Sequence, residues 1–209
     1  MPTDTELLDA WCRKDQQAGN ALFERHFRSL YGFFRNKVAD GVDDLVQQTF
    51  LACVRGRDGF RRDSSFRTYM FAAAKRILYR ELERRRNVKA RIDFEVSSVH
   101  DLSPGVSTAF ARHSEQRLLL DALRKLPLEY QVAMELYYFE GFRGAEIAEV
   151  LEVPEGTIRS RLDRGLKQLR SYADELAPTP ELRQSTFDRF EHWAQSLRRA
   201  VGVDERSST

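Results

Sequence analysis

In the stretch "EVLEVPEGTIRSRLDRGLKQLR", Glu149 to Arg170, apolar residues return at helical spacing while hydroxyls and cations collect between them. With Ile158 at zero on a wheel of about 100° per residue, Leu162, Leu166 and Leu169 fall within an arc of roughly 80°. Thr157, Ser160, Arg161, Arg164 and Lys167 take the opposite side. Upstream, "GAEIAEVL" offers Ile147, Ala148 and Leu151 for packing, and the small Ala148 permits close approach of a second helix. Val153 and Pro154 make a turn, and Pro154 with Glu155 suits a helical first turn. This is the pattern of a helix-turn-helix, whose second helix enters the major groove and presents Arg and Ser/Thr to base edges and phosphates. Thr157, Arg159, Ser160, Arg161, Arg164 and Lys167 are the expected DNA contacts. A solvated helix of an all-helical bundle gives the same short pattern, so the motif needs support from the rest of the chain. Glu152 stands in the tight turn where glycine is common, and a positive φ there would carry strain.

The remaining sequence is helical as well. From Thr5 to Val38 apolar residues recur at three and four, with a break expected at Gly19. "DDLVQQTFLACVRG" forms another amphipathic helix, followed by the glycine- and charge-rich loop "GRDGFRRDSS". "SFRTYMFAAAKRILYRELERRR" reads as one long helix that Ser65 could cap. No segment alternates with period two for long enough to make a sheet. The expectation is an all-α protein of two small helical domains, 1–87 and 114–173. A linker rich in Ser, Pro, Gly and acidic residues, 88–113, joins them. That linker could reach about 85 Å at the extended limit, or about 30 Å r.m.s. as a flexible chain. Residues 174–209 form a C-terminal extension with an amphipathic helix from Glu181 to Val201.

Composition narrows the function classes. The chain has 209 residues, 42% of them apolar, and lacks the marks of disorder. It has neither an eighteen-residue apolar run nor a charged-then-apolar leader, so a cytoplasmic protein without a membrane anchor is expected. Cys12, Cys53 and the four histidines show no metal-ligand spacing, and reduced thiols, no metal and no cofactor are expected. Net charge is only +2, but it is segregated: residues 55–91 carry thirteen basic and four acidic side chains. Such a concentration is the footprint of a phosphate-binding surface, although a basic helix kept soluble by its charge would look similar.

Within that basic segment Phe66, Tyr69, Phe71 and Tyr79 are interleaved with Lys75, Arg76, Arg80 and Arg84 to Arg86. Aromatics that stack on unpaired bases, beside cations that hold the backbone, suit single-stranded nucleic acid. Tyr69 and Phe71 are expected to be core anchors. Phe60, in the glycine-flanked loop with Arg61 and Arg62, is a better candidate for touching a base.

The order "DDLVQQTF", "FRTYMFAAAKRIL", a linker, then "LPLEYQVAMELYYFEGFRGAEIAEVLEVPEGTIRSRLDRGLKQLR" resembles the extracytoplasmic-function (ECF) sigma factors of the sigma-70 family, over roughly Thr5 to Tyr172. The resemblance implies a non-enzymatic specificity subunit that directs bacterial RNA polymerase core to promoters. Region two would bind the clamp of the largest catalytic subunit and melt the minus-10 element. Region four would read the minus-35 element and touch the beta flap. An anti-sigma factor or other regulator is a possible partner. It assigns Asp43, Asp44, Gln47 and Gln48 to polymerase binding. Phe60, Arg61, Arg62, Lys75, Arg76, Arg80, Arg84 and Arg85 would serve the minus-10 element. Gln48 stands where the family usually has Glu or Asp, and modification of Thr49 is one way to restore the missing charge. Arg76 stands in for an asparagine. The extension could pack on region four, mask a surface or dimerise.

Two other classes compete. A helix-turn-helix regulator acting without polymerase has no need of the basic-aromatic helix or of Asp44 and Gln47. A metal enzyme built on Asp43 and Asp44 is disfavoured because adjacent helical residues point about 100° apart.

Overall fold

The computed structural model describes residues 1–56, 64–95 and 114–177, the side chains of 89–95 and 114–117 excepted. The described residues form eight α-helices and no strand. The chain divides into two compact units, Met1–Gly105 and Val106–Thr209.

The first unit holds α1 (Asp4–Cys12), α2 (Gln16–Arg35), α3 (Val42–Arg55) and α4 (Phe66–Glu95). Thr3 and Glu6 form a reciprocal capping box on α1, with Thr3 N–H donating to Glu6 Oε2 at 2.7 Å and Glu6 N–H to Thr3 Oγ1 at 3.3 Å. The break expected at Gly19 lies instead at Arg13–Asp15, where Lys14 takes φ 72° and Asp15 caps α2 through the N–H groups of Gln17 and Ala18. Gly19 sits inside α2 because Trp11 of α1 occupies the space of its missing side chain. Ser65 caps α4 as expected, its Oγ accepting from Thr68 N–H at 3.1 Å.

Helices α1, α3 and α4 pack around α2, with α3 also against α4. Leu22, Leu30, Phe34, Val46, Phe66, Met70, Phe71 and Leu78 are buried between them, each worth about 1.5–3 kcal/mol relative to exposure. Phe33 meets Phe34 and Phe71 edge-on at 5.4 and 5.5 Å. Of the two aromatics expected as anchors, Phe71 is fully buried. Tyr69 is half-exposed at the rim, its hydroxyl donating to the Cys53 carbonyl at 3.4 Å.

Helix α4 runs to Glu95, eight residues past the domain boundary expected after Asn87. Val88 to Ile92 contain no Gly, Pro or capping residue, so hydrogen bonding propagates past the arginines. The rest of the expected linker and the amphipathic helix from Glu181 to Val201 lie outside the described residues.

In the second unit α5 (Ser114–Lys125), α6 (Leu128–Tyr138) and α7 (Gly144–Leu151) pack around α8 (Glu155–Leu176). Leu119, Leu123, Met134, Ile147, Ile158 and Leu169 are buried among them. Gly165 lets α8 approach α6, since a Cβ there would stand 2.8 Å from Met134 Sδ. Helix α7 ends with Glu152 at φ 57°, ψ 44°, the left-handed conformation that its place in the turn suggests. The Val153 N–H then reaches back to the Ala148 carbonyl at 3.1 Å and closes a Schellman turn.

Candidate nucleic-acid interface

Three helix faces hold the side chains that the sequence assigns to binding. On α8, Ile158 and Leu169 are buried and Leu162 and Leu166 half-buried, so the apolar arc faces inward. Arg159, Ser160, Arg164 and Lys167 are exposed, and Thr157 is half-buried. Their commitments differ. Arg159 and Arg164 make no ion pair among the described residues. Lys167 pairs with Asp163 one turn back at 2.9 Å, an exposed contact worth a few tenths of a kcal/mol, about 0.3–0.5, that a phosphate can displace. Ser160 Oγ donates to the Thr157 carbonyl at 2.9 Å. Arg161 is drawn inward, its guanidinium 2.7 Å from Glu129 of α6 and its side chain only 18% exposed. Arg161 therefore braces α8 against α6.

On α4, Arg76, Tyr79 and Arg80 are exposed within about one turn of one another, and Lys75 is half-buried beside them. Tyr79, at 41% exposure, stands among these cations, and residue pattern alone could not separate it from the core aromatics. Arg84 and Arg85 both bond Glu81, Arg84 with a side chain still 63% exposed and Arg85 with one 29% exposed. Arg84 donates Nε and Nη2 to Glu81 at 2.8 and 2.7 Å, and Arg85 Nε donates to the same carboxylate at 2.7 Å. The Arg84 hydrogen bonds first, with Arg85 adding to them against the cost of burial, hold the Glu81 carboxyl down at about 2. The expected contacts Phe60, Arg61 and Arg62 lie outside the described residues.

On α3, Asp43, Asp44, Gln47 and Gln48 are all exposed, while Leu45, Val46, Thr49, Phe50 and Cys53 are buried. Leu51, 45% exposed, extends the polar stripe with an apolar patch that the sequence reading left out. Its signal was its position, three and four residues beyond Gln48 and Gln47. Thr49 is fully buried and donates its hydroxyl to the Leu45 carbonyl at 2.8 Å. That contradicts modification of Thr49 as a source of the charge missing at Gln48, because no modifying enzyme reaches a side chain sealed in the core.

No group of three or more His, Cys, Asp or Glu that could hold a metal occurs among the described residues. No described helix is long and apolar enough to cross a membrane. Burial pushes the Cys53 thiol up to about 12, so it carries no thiolate at neutral pH.

The family model for sigma-70 region 2 matches residues 22–88, which take in most of α2, all of α3 and most of α4, and that for sigma-70 region 4 matches residues 116–169. Together they cover more than half of the chain, in the family's order. The chain belongs to the sigma-70 family.

Its relatives specify the group. The chain is 29% identical over 169 residues to the ECF RNA polymerase sigma factor SigM of Mycobacterium tuberculosis, covering 80% of this chain and 83% of that protein. It is 26% identical over 178 residues to the ECF RNA polymerase sigma-E factor of Haemophilus influenzae, covering 81% and 94%. The sigma-E factor of Escherichia coli is 28% identical over 171 residues, covering 78% and 90%. Among solved structures, the fold is shared with RpoE of Bartonella quintana, crystallised with the anti-sigma factor NepR, at TM-score 0.57 and 23% identity over 70% of this chain and 90% of that one. It is shared too with CnrH, solved with the cytosolic domain of CnrY, at TM-score 0.61 and 23% identity over 83% and 99%. This sigma factor is thus of the ECF type, a transcription initiation factor. An ordinary helix-turn-helix regulator is not favoured, since it would leave the region 2 match without a purpose.

Proposed function

We propose that this sigma factor docks on RNA polymerase core through the exposed face of α3, with Asp43, Asp44, Gln47 and Gln48 meeting basic residues of the clamp. Promoter DNA is then engaged at two places. The minus-10 element meets Lys75, Arg76 and Arg80 with Tyr79, together with Phe60, Arg61 and Arg62. The minus-35 element meets Arg159, Ser160, Arg164 and Lys167, with Thr157 at the edge. The factor supplies recognition and strand separation and polymerase performs the chemistry, in the cytoplasm where transcription takes place. The observation that carries this reading is the sorting on α3: its acidic and amide side chains are all exposed while its apolar and hydroxyl side is sealed against α2 and α4. Charge complementarity on such a face steers docking and sets its orientation. RpoE, solved with the anti-sigma factor NepR, supports a regulator of that class as a further partner.

Run-off transcription with purified bacterial core on a library of genomic promoters tests the proposal. Asp44→Arg abolishes holoenzyme assembly, and Gln48→Glu, which restores the usual charge, tightens it. If the wild-type chain forms no stable complex with core at low ionic strength, the reading fails.

A further inference from the structure

Arg85 and its neighbour Arg84 are given to DNA by the resemblance, yet the Arg85 guanidinium is already spanned between two elements. Nε donates to Glu81 Oε1 one turn back on α4 at 2.7 Å. Nη2 donates across to the main-chain carbonyl of Asp40 at 2.9 Å and lies 2.6 Å from its Oδ1. Arg84 holds both oxygens of Glu81, sharing Oε1 with Arg85, so that the carboxylate is charged and fixed when it orients Arg85.

The far end of this chain of contacts is the start of α3. Asp40 immediately precedes Gly41, which turns the backbone at φ 70° and opens α3 with no side-chain cap. Asp43 and Asp44 lie in the first turn that follows. Without a cap, the entry angle of a helix depends on what holds the residues before it. The Asp40 side chain is 81% exposed, so its charge pair contributes little. The tie rests on the hydrogen bond to the main-chain carbonyl from a guanidinium that is only 29% exposed.

We propose that Arg85 is a positioning residue: it holds the turn at Asp40 and Gly41, and so aims the acidic face of α3, and it makes no contact with promoter DNA. This rests on the reading of α3 as the polymerase-docking helix. A planar guanidinium serves two acceptors in different directions at once, which an ammonium does not.

The test uses the full chain as wild type, Arg85→Ala, Arg85→Lys, Asp40→Ala and the double variant Arg85→Ala with Glu81→Gln. Affinity for bacterial core is measured for each, and promoter affinity of each holoenzyme is followed across salt concentration. Arg85→Ala weakens core binding about tenfold, as expected for loss of a charged hydrogen bond. Arg85→Lys keeps the charge and does not restore affinity. Asp40→Ala stays near wild type because the carbonyl remains. Glu81→Gln adds little once Arg85 is gone, since both act through one tie. The salt slope of promoter binding does not change. Core affinity of Arg85→Ala at the wild-type level overturns the proposal. So does a salt slope reduced by about one, the mark of a lost phosphate contact. If circular dichroism shows Arg85→Ala unfolded, Arg85→Lys decides alone, and wild-type core affinity in it overturns the proposal. Failure of the wild type to bind core would sink the docking reading as well, whereas parity of the variants sinks only this one.

Discussion

Trp11 fills the space that a side chain at Gly19 would need: a Cβ there would stand 2.5, 2.6 and 2.7 Å from Nε1, Cδ1 and Cε2 of the indole. Helix α1 is held to α2 by this contact and by the burial of Leu7 and Leu8. Gly19→Ala gains about 1 kcal/mol of helix propensity but forces apart a rigid ring, at about 1–3 kcal/mol. The net expectation is destabilisation of the first unit by about 1 kcal/mol, seen as a lower urea midpoint with altered tryptophan fluorescence. An unchanged or raised midpoint would refute the packing account.

The same helix is anchored at its start by Asp4, which lies 2.6 Å from Arg25 Nη1 and 2.7 Å from His26 Nε2. Burial pushes the Asp4 carboxyl upward, but the hydrogen bond and charge of His26, followed by those of Arg25, overcome it and bring it from 3.8 to about 2. A depressed carboxylate contributes stability that is present above the unfolded pKa and lost as pH falls through the folded one. Asp4→Asn therefore costs about 1–2 kcal/mol at neutral pH, after discounting for its partial exposure. The gap to wild type should close between about pH 4 and pH 2 in urea titrations. A gap that stayed constant through that window would show that the charge is not what Asp4 contributes.

Glu152 holds the turn of the helix-turn-helix at φ 57° without being glycine. Replacing it by glycine removes the Cβ clash of the left-handed conformation, at about 1 kcal/mol. Glu152→Gly is expected to raise the thermal midpoint of the second unit by about 4–8 °C per kcal/mol gained. Minus-35 affinity should stay as it is, because the turn geometry is the one glycine prefers.

Arg161 and Arg164 lie within one turn of α8 and differ in commitment. Arg164→Ala removes an exposed cation and is expected to weaken minus-35 binding by about 1–3 kcal/mol. Arg161→Ala mainly breaks the brace to Glu129, a partly exposed pair worth about 0–1 kcal/mol, and should lower affinity less. Equal losses in a mobility-shift series on one promoter would mean that Arg161 leaves Glu129 to reach DNA.

Much of this was legible in the residues. The inward arc of Ile158, Leu162, Leu166 and Leu169 follows from helical period, and the cap at Ser65 from its hydroxyl before an apolar run. Glu152 stood out as a non-glycine in the tight turn, and its φ of 57° is the strained case that the position raised. Other features were hidden because they depend on a distant partner. Gly19 reads as a breaker until Trp11 is seen against it. Thr49 reads as a modifiable hydroxyl until the packing of α3 seals it. Arg85 reads as one more cation beside Glu81 until Asp40, from before α3, is found within its reach.

Local chemistry thus dictated the helices and their inward faces, since periodicity and capping act over a few residues, while the order of the motifs carried the resemblance to the family. Only the tertiary structure decided which cations are also tied to carboxylates and carbonyls of another element, as Arg85 and Arg161 are. The reason is geometric: a guanidinium on a long side chain chooses among acceptors contributed by separate helices, and their distances exist only once those helices have packed.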